Sequence, residues 1–229
     1  MQEQTLKPRF LIIDQMRALA ILLMVYFHAS YDLNLFKFIE IDVFRSKFWL
    51  YLPKLIVTLF LLCVGMSLCL VHEKNFNSKK FFSRWWKLVI GAVFISLFTY
   101  FAFPKRWIYF GTLHTIALCS VMAIPFLKYP KISLLTSFVL LIPALFLNFT
   151  WPFLKLPHPT MDYIPSLPWF GVVTLGIFLY HQGFHKLDTS KIPFKGPIIF
   201  MSKHSLKIYI IHQPVLFSVV YLTYKYFRN

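Results

Sequence analysis

Residues 10–33 read FLIIDQMRALAILLMVYFHASYDL. A run of about 20 mainly apolar residues is what an α-helix needs to cross a bilayer. This run carries four ionisable side chains, Asp14, Arg17, His28 and Asp32. Such groups are expensive at membrane depth, so they raise a functional question wherever they occur. At about 100° per residue, His28 falls about 20° from Arg17, and Asp14 and Asp32 each fall about 60° from it in the same direction. The four therefore share one narrow helix face, with about 16 Å of rise between Arg17 and His28. A cleaved leader is not expected here, because Asp14 and Arg17 interrupt the apolar run and no small-residue cleavage site follows.

Working outward, six further apolar stretches follow, at about 50–71, 86–103, 107–127, 132–151, 168–183 and 205–226, which makes seven in all, and the sixth of the seven, 168–183, is short. The expected fold is all-α: a polytopic membrane helix bundle of about seven transmembrane helices, forming a single domain over residues 1–229. Composition agrees, with 58% hydrophobic, 20% aromatic and only 14% charged residues. That balance excludes disorder and disfavours a soluble enzyme. Formal net charge is +16, but the cations punctuate apolar segments rather than forming a nucleic-acid face, so no nucleic-acid partner is expected. A cytoplasmic N-terminus places more Lys and Arg in the inner than in the outer segments, although Lys225 and Arg228 then fall outside. Cys63, Cys69 and Cys119 lie in apolar runs and read as small buried hydrophobes, with no metal site among them.

Each polar position carries two readings. Asp14 and Arg17 are either a boundary ion pair that anchors topology or part of a functional stripe. His28 and Asp32, at i and i+4, are either a hydrogen-bonded packing pair or an imidazole oriented by a carboxylate for general-base work. His114, in the fourth stretch, is a satisfied bundle histidine or shares a layer with His28. Ser205, Tyr209 and His212 fall on one face of the last stretch, with Pro214 just beyond, where a kink is expected. They are ordinary interhelical hydrogen-bonding groups or, with the first stripe, the wall of a polar conduit. Gly65 and Ser67 read as close-packing residues. The inner cations Lys79, Lys80, Arg84 and Lys87 meet either ligand phosphates or anionic headgroups. The segment 151–170, with His158, Asp162 and Pro168-Trp169-Phe170-Gly171, is the longest outer loop and a candidate acceptor-side lid.

Several segments recur together in a known group. They are Asp14-x-x-Arg17 with Leu19 to Met24 and His28, Tyr31-Asp32-Leu33-Asn34, Phe60-Leu61-x-x-x-Gly65-x-Ser67, Tyr109-Phe110-Gly111-x-Leu113-His114, Pro168-Trp169-Phe170-Gly171, and Ser205-Leu206-x-Ile208-Tyr209-x-x-His212-Gln213-Pro214. In this order they resemble the bacterial membrane family grouped with the catalytic domain of heparan-alpha-glucosaminide N-acetyltransferase. Arg17, ten intervening residues and His28 also resemble the Arg-x10-His signature of membrane acyltransferases that modify surface glycans. The resemblance implies a multi-pass inner-membrane enzyme that moves an acetyl group from cytoplasmic acetyl-coenzyme A to a sugar, glycan or small-molecule acceptor on the far side. It implies an essential His28. On the residues themselves, Asp32 is expected to orient His28 and His114 to stabilise an oxyanion, and the donor site is expected around Asp14, Arg17, Arg84, Lys87, Ser205, Tyr209 and His212, with membrane lipid as surroundings. The animal enzymes have asparagine at the position of His28 and glutamine at that of His114. Their loop histidine has no counterpart here, since no histidine lies between His28 and His72. A proton-coupled transporter or flippase is the alternative reading of the same intramembrane charges, and a non-catalytic membrane sensor or assembly partner is a third.

Overall fold

The computed structural model describes residues 10–42, 45–152, 159–189 and 192–228. Among them are eight α-helices: α1 Leu11–Leu35, α2 Lys47–His72, α3 Ser78–Ala102, α4 Thr112–Met122, α5 Pro130–Phe146, α6 Ser166–His181, α7 Lys195–Lys203 and α8 Ser205–Arg228. Two 3-10 turns, Ile124–Phe126 and Phe184–Lys186, complete the set. Four helices, α1, α2, α3 and α8, are long and apolar enough to cross a membrane, with 25, 26, 25 and 23 qualifying residues. At about 1.5 Å per residue each exceeds the hydrocarbon thickness of about 30 Å. The other three apolar helices, α4, α5 and α6, are shorter, at 11, 17 and 16 residues. The short sixth stretch expected from sequence is α6.

Local chemistry sets the helix ends. The Asn77 side chain accepts from the Lys80 amide at 2.8 Å and starts α3. Pro130 opens α5, where its missing N–H costs nothing. The fourth stretch, expected from about 107, becomes helical only at Thr112. The preceding backbone bonds instead to the segment before α6. The Met161 amide donates to Arg106 O at 3.1 Å, the Ile164 amide to Phe110 O at 3.4 Å, and the Thr160 hydroxyl to Trp107 O at 2.8 Å. These two loops thus satisfy each other's polar groups. Despite Pro214, α8 runs as one helix from Ser205 to Arg228.

The bundle is centred on α2, which packs against α1 and α6, while α6 also packs against α5. The α2–α6 contact is a backbone contact. A Cβ on Gly65 would collide with the Val173 carbonyl, and one on Gly176 would stand 2.5 Å from Leu62 O. Small residues permit this closeness, which matters where lipid removes the hydrophobic drive for helices to associate. Cys63, Cys69 and Cys119 are buried as free thiols. Outward-facing side chains are apolar, with Ile90 65% and Phe101 80% exposed. Apolar surface that extensive belongs in a bilayer.

Candidate functional site

The stripe on α1 meets different neighbours at its two ends. Near the start of the helix, Arg17 donates from Nη1 to Ser202 Oγ at 2.8 Å and from Nη2 to Ser67 Oγ at 2.9 Å. Ser202 hands its own hydrogen to Asp14 Oδ1 at 2.5 Å, and Arg17 Nη1 stands 4.0 Å from the same oxygen. Asp14 and Ser202 are buried. One guanidinium, one carboxylate and two hydroxyls therefore tie α1, α2 and α7 together. Beside them, Gln15 Nε2 donates to Thr189 O at 3.3 Å.

Three turns further on, the stripe meets α8. The rings of His28 and His212 lie edge to face, with centroids 4.9 Å apart and planes 63° apart. Asp32 is 1% exposed. Both of its carboxylate oxygens accept from Gln213 Nε2, at 3.1 and 3.3 Å. The sequence suggests His28 as the partner of Asp32. Among the described residues the hydrogen bonds to Asp32 come from Gln213 instead.

His212 has a defined tautomer. Its Nδ1 lies 2.7 Å from the Tyr209 carbonyl, which can only accept, so Nδ1 carries the hydrogen. Nε2 is left as a lone pair, buried and without a hydrogen-bond partner among the described residues. Gln213 Oε1 is in the same position. A buried unpaired polar atom costs about 1–3 kcal/mol, and folded proteins contain few of them. Here they fall on consecutive residues, against His28 and Asp32 of α1; Gln15 Oε1 and Thr189 Oγ1, beside Arg17, are likewise buried without a partner among the described residues. Tyr209 extends the line. Its ring lies 5.8 Å from that of His212, and its phenol is within electrostatic reach of Thr112 and Asp162.

The catalytic-domain family of heparan-alpha-glucosaminide N-acetyltransferase matches residues 9–214 of this chain, most of its length. The chain belongs to that family. No curated protein and no solved structure matches it. Membership of the heparan-alpha-glucosaminide N-acetyltransferase catalytic family, with four long apolar helices, makes this a multi-pass membrane protein of acetyltransferase type. The matched region contains both ends of the α1 stripe and closes on His212, Gln213 and Pro214.

The remaining sequence candidates fall elsewhere in this family member. His114 caps its own helix. The Gly111 amide donates to Nδ1 at 3.2 Å, which leaves the hydrogen on Nε2, 3.2 Å from Ser96 Oγ. Ser96 in turn donates to Ile108 O at 2.6 Å. Both ring nitrogens of His114 are thus engaged. Ser205 starts α8, but the serine that reaches Arg17 is Ser202. Arg84 and Lys87 lie exposed on α3, outside the Arg17 network. His158 lies outside the described residues.

Three contributors were not visible as site residues in the sequence: Ser202, Asp162 as a cap, and Gln213 as the partner of Asp32. Asp162 Oδ2 accepts from the Thr112 amide at 2.8 Å and from its hydroxyl at 3.1 Å, capping α4 from 50 residues away. Burial raises the Asp162 carboxyl above the usual carboxylate range, and the two bonds from Thr112 oppose that shift. Gln213 had a signal in its place in the His212-Gln213-Pro214 segment of the family resemblance, and Asp162 in its place in the segment 151–170.

Proposed function

We propose that this protein is an integral membrane acyltransferase. It takes acetyl from acetyl-coenzyme A on the cytoplasmic side and delivers it to a sugar or glycan hydroxyl or amine on the opposite side. The proposed topology has α1 to α6 and α8 crossing the inner membrane, with the N-terminus cytoplasmic and α4, α5 and α6 as short crossings inside the protein. One observation carries the reading: His28 stands against His212, and the adjacent Gln213 holds Asp32.

In the proposed step, His28 accepts the proton of the acceptor hydroxyl or amine as that atom bonds to the thioester carbonyl carbon. The carbon–sulfur bond then breaks and coenzyme A departs as thiolate, which the protonated imidazole can neutralise. The second imidazole, with its lone pair on Nε2, shares the proton with His28. The buried Asp32 carboxylate stabilises the positive charge that the pair acquires. Arg17 and Asp14 serve to hold α1 against α2 and α7 at the donor's end. His114 positions the start of α4, and with it Thr112 beside Tyr209.

The test uses purified protein in nanodiscs with radiolabelled acetyl-coenzyme A, with and without extracted envelope glycans. Wild type is expected to release coenzyme A and label the glycan, and His28→Ala is expected to do neither. A fully active His28→Ala variant would remove His28 from the chemistry. Proton-coupled flux in liposomes without any acyl donor would replace the acyltransferase reading with transport.

A further inference from the structure

A second feature lies on the outer face of α3, apart from the histidines. Lys80, Arg84, Lys87 and Gly91 follow one another at spacings of four, three and four, so one helix face leads from cations to a glycine. All three cations are exposed, and none is in an ion pair among the described residues. Immediately beyond Lys87 a groove of about 350 Å³ opens between α3 and α8, lined by Lys87, Ile90, Gly91, Phe94 and Ile210. Gly91 lets α8 pack close to α3, since a Cβ there would stand 3.0 Å from Ile210 Cδ1 and 3.4 Å from Leu113 Cδ1, and the groove is a shallow apolar cleft along that contact. From the other wall, Lys207 is exposed three residues before Ile210, one helical turn toward the start of α8. Cations at one end and an apolar channel beyond them match the two halves of a lipid.

We propose that this groove holds an acyl chain of an anionic phospholipid whose phosphate rests on Lys87 and Lys207. Charge complementarity argues for an anionic headgroup, since cations at the membrane surface attract anionic lipid additively. Coenzyme A also offers phosphates. Its pantetheine arm, however, carries amides, and beyond Lys87 the groove lining supplies no polar side chain to pair them. An acyl chain has no such requirement. Lys87, and with it Arg84 on the same face, is thereby assigned to lipid and not to the acyl donor.

Native mass spectrometry of the detergent-purified protein, equilibrated with phosphatidylglycerol or with phosphatidylcholine of identical chains, tests this. Wild type is expected to retain one phosphatidylglycerol in preference to phosphatidylcholine by on the order of tenfold. The Lys87→Gln/Lys207→Gln variant should lose the preference while still retaining lipid. Ile90→Trp fills the groove from a position 65% exposed, where folding is not at stake, and should lower retention of both lipids. Equal retention of the two lipids by wild type, or a preference unchanged in the double variant, overturns the proposal. So does displacement of phosphatidylglycerol by excess coenzyme A, which would return the cations to the donor.

Discussion

The two ends of the α1 stripe carry similar residues in different surroundings. At the Arg17 end, a cation and an anion are joined through Ser67 and Ser202 across three helices. At the His28 end, two imidazoles face each other and the atoms His212 Nε2 and Gln213 Oε1 are buried unpaired. Buried atoms without a hydrogen-bond partner among the described residues occur at both ends, Gln15 Oε1 and Thr189 Oγ1 beside Arg17 included, so the difference lies in what faces what: a bonded ion pair at one end, two imidazoles at the other. The comparison teaches that ionisable groups on one helix face need not share one task. On the proposed function, Arg17 serves stability and His28 serves the chemistry.

The largest effect that would break this contrast lies at the chemical end. His212→Ala is expected to lower acetyl transfer by about 10²–10⁴-fold, the usual contribution of a positioned acid–base group, with the melting temperature little changed. A variant that unfolds instead would make the histidine pair a packing element. The converse test is Arg17→Met. It removes the cation 4.0 Å from the buried Asp14, which still accepts from Ser202, and is expected to cost about 1–3 kcal/mol of stability in denaturant unfolding. Adding Asp14→Asn should recover much of that loss. If Arg17→Met folds normally and loses only affinity for the acyl donor, Arg17 belongs with the chemistry and the contrast fails.

Smaller effects sharpen the picture between the ends. Gly65→Ala should cost about 1–3 kcal/mol, because the new methyl meets the α6 backbone and not a movable side chain. Asp162→Ala removes a cap from α4 and should cost about 1 kcal/mol. Asp162→Asn isolates the charge. Because burial raises the folded carboxyl's pKa, its stabilising contribution is complete below the ordinary carboxylate range and is lost as pH rises through the raised value. Wild type should therefore lose melting temperature relative to Asp162→Asn as pH is raised from about 4. Parallel pH profiles for the two proteins would exclude a titrating Asp162.

Much of the fold was legible because α1, α2, α3 and α8 are long, apolar and continuous. The shared face of Asp14, Arg17, His28 and Asp32 was legible because helical periodicity is local. Their partners were not. Ser202 is 185 residues from Arg17 and Gln213 is 181 from Asp32. Such pairings exist only once the bundle closes. The nine-residue α7 lies between the sixth and seventh apolar stretches, contains Gly196 and Pro197 and is too short for a spanning pattern. The capping role of His114 was hidden by a helix start expected at about 107. With the helix starting at Thr112, its ring reaches back to Gly111.

The glycine contact between α2 and α6 has a mechanical consequence. Each helix is notched into the other's backbone, so the pair is keyed and resists sliding. Any swing of the bundle then falls to the helices with least cover, α3 and α8, whose spanning windows are 17% and 6% buried, against 50% for α2. His28 and Asp32 ride on α1, which is bolted to α2, whereas His212 and Gln213 ride on α8. Outward displacement of α8 would part the two imidazoles and draw Gln213 from Asp32 in one movement.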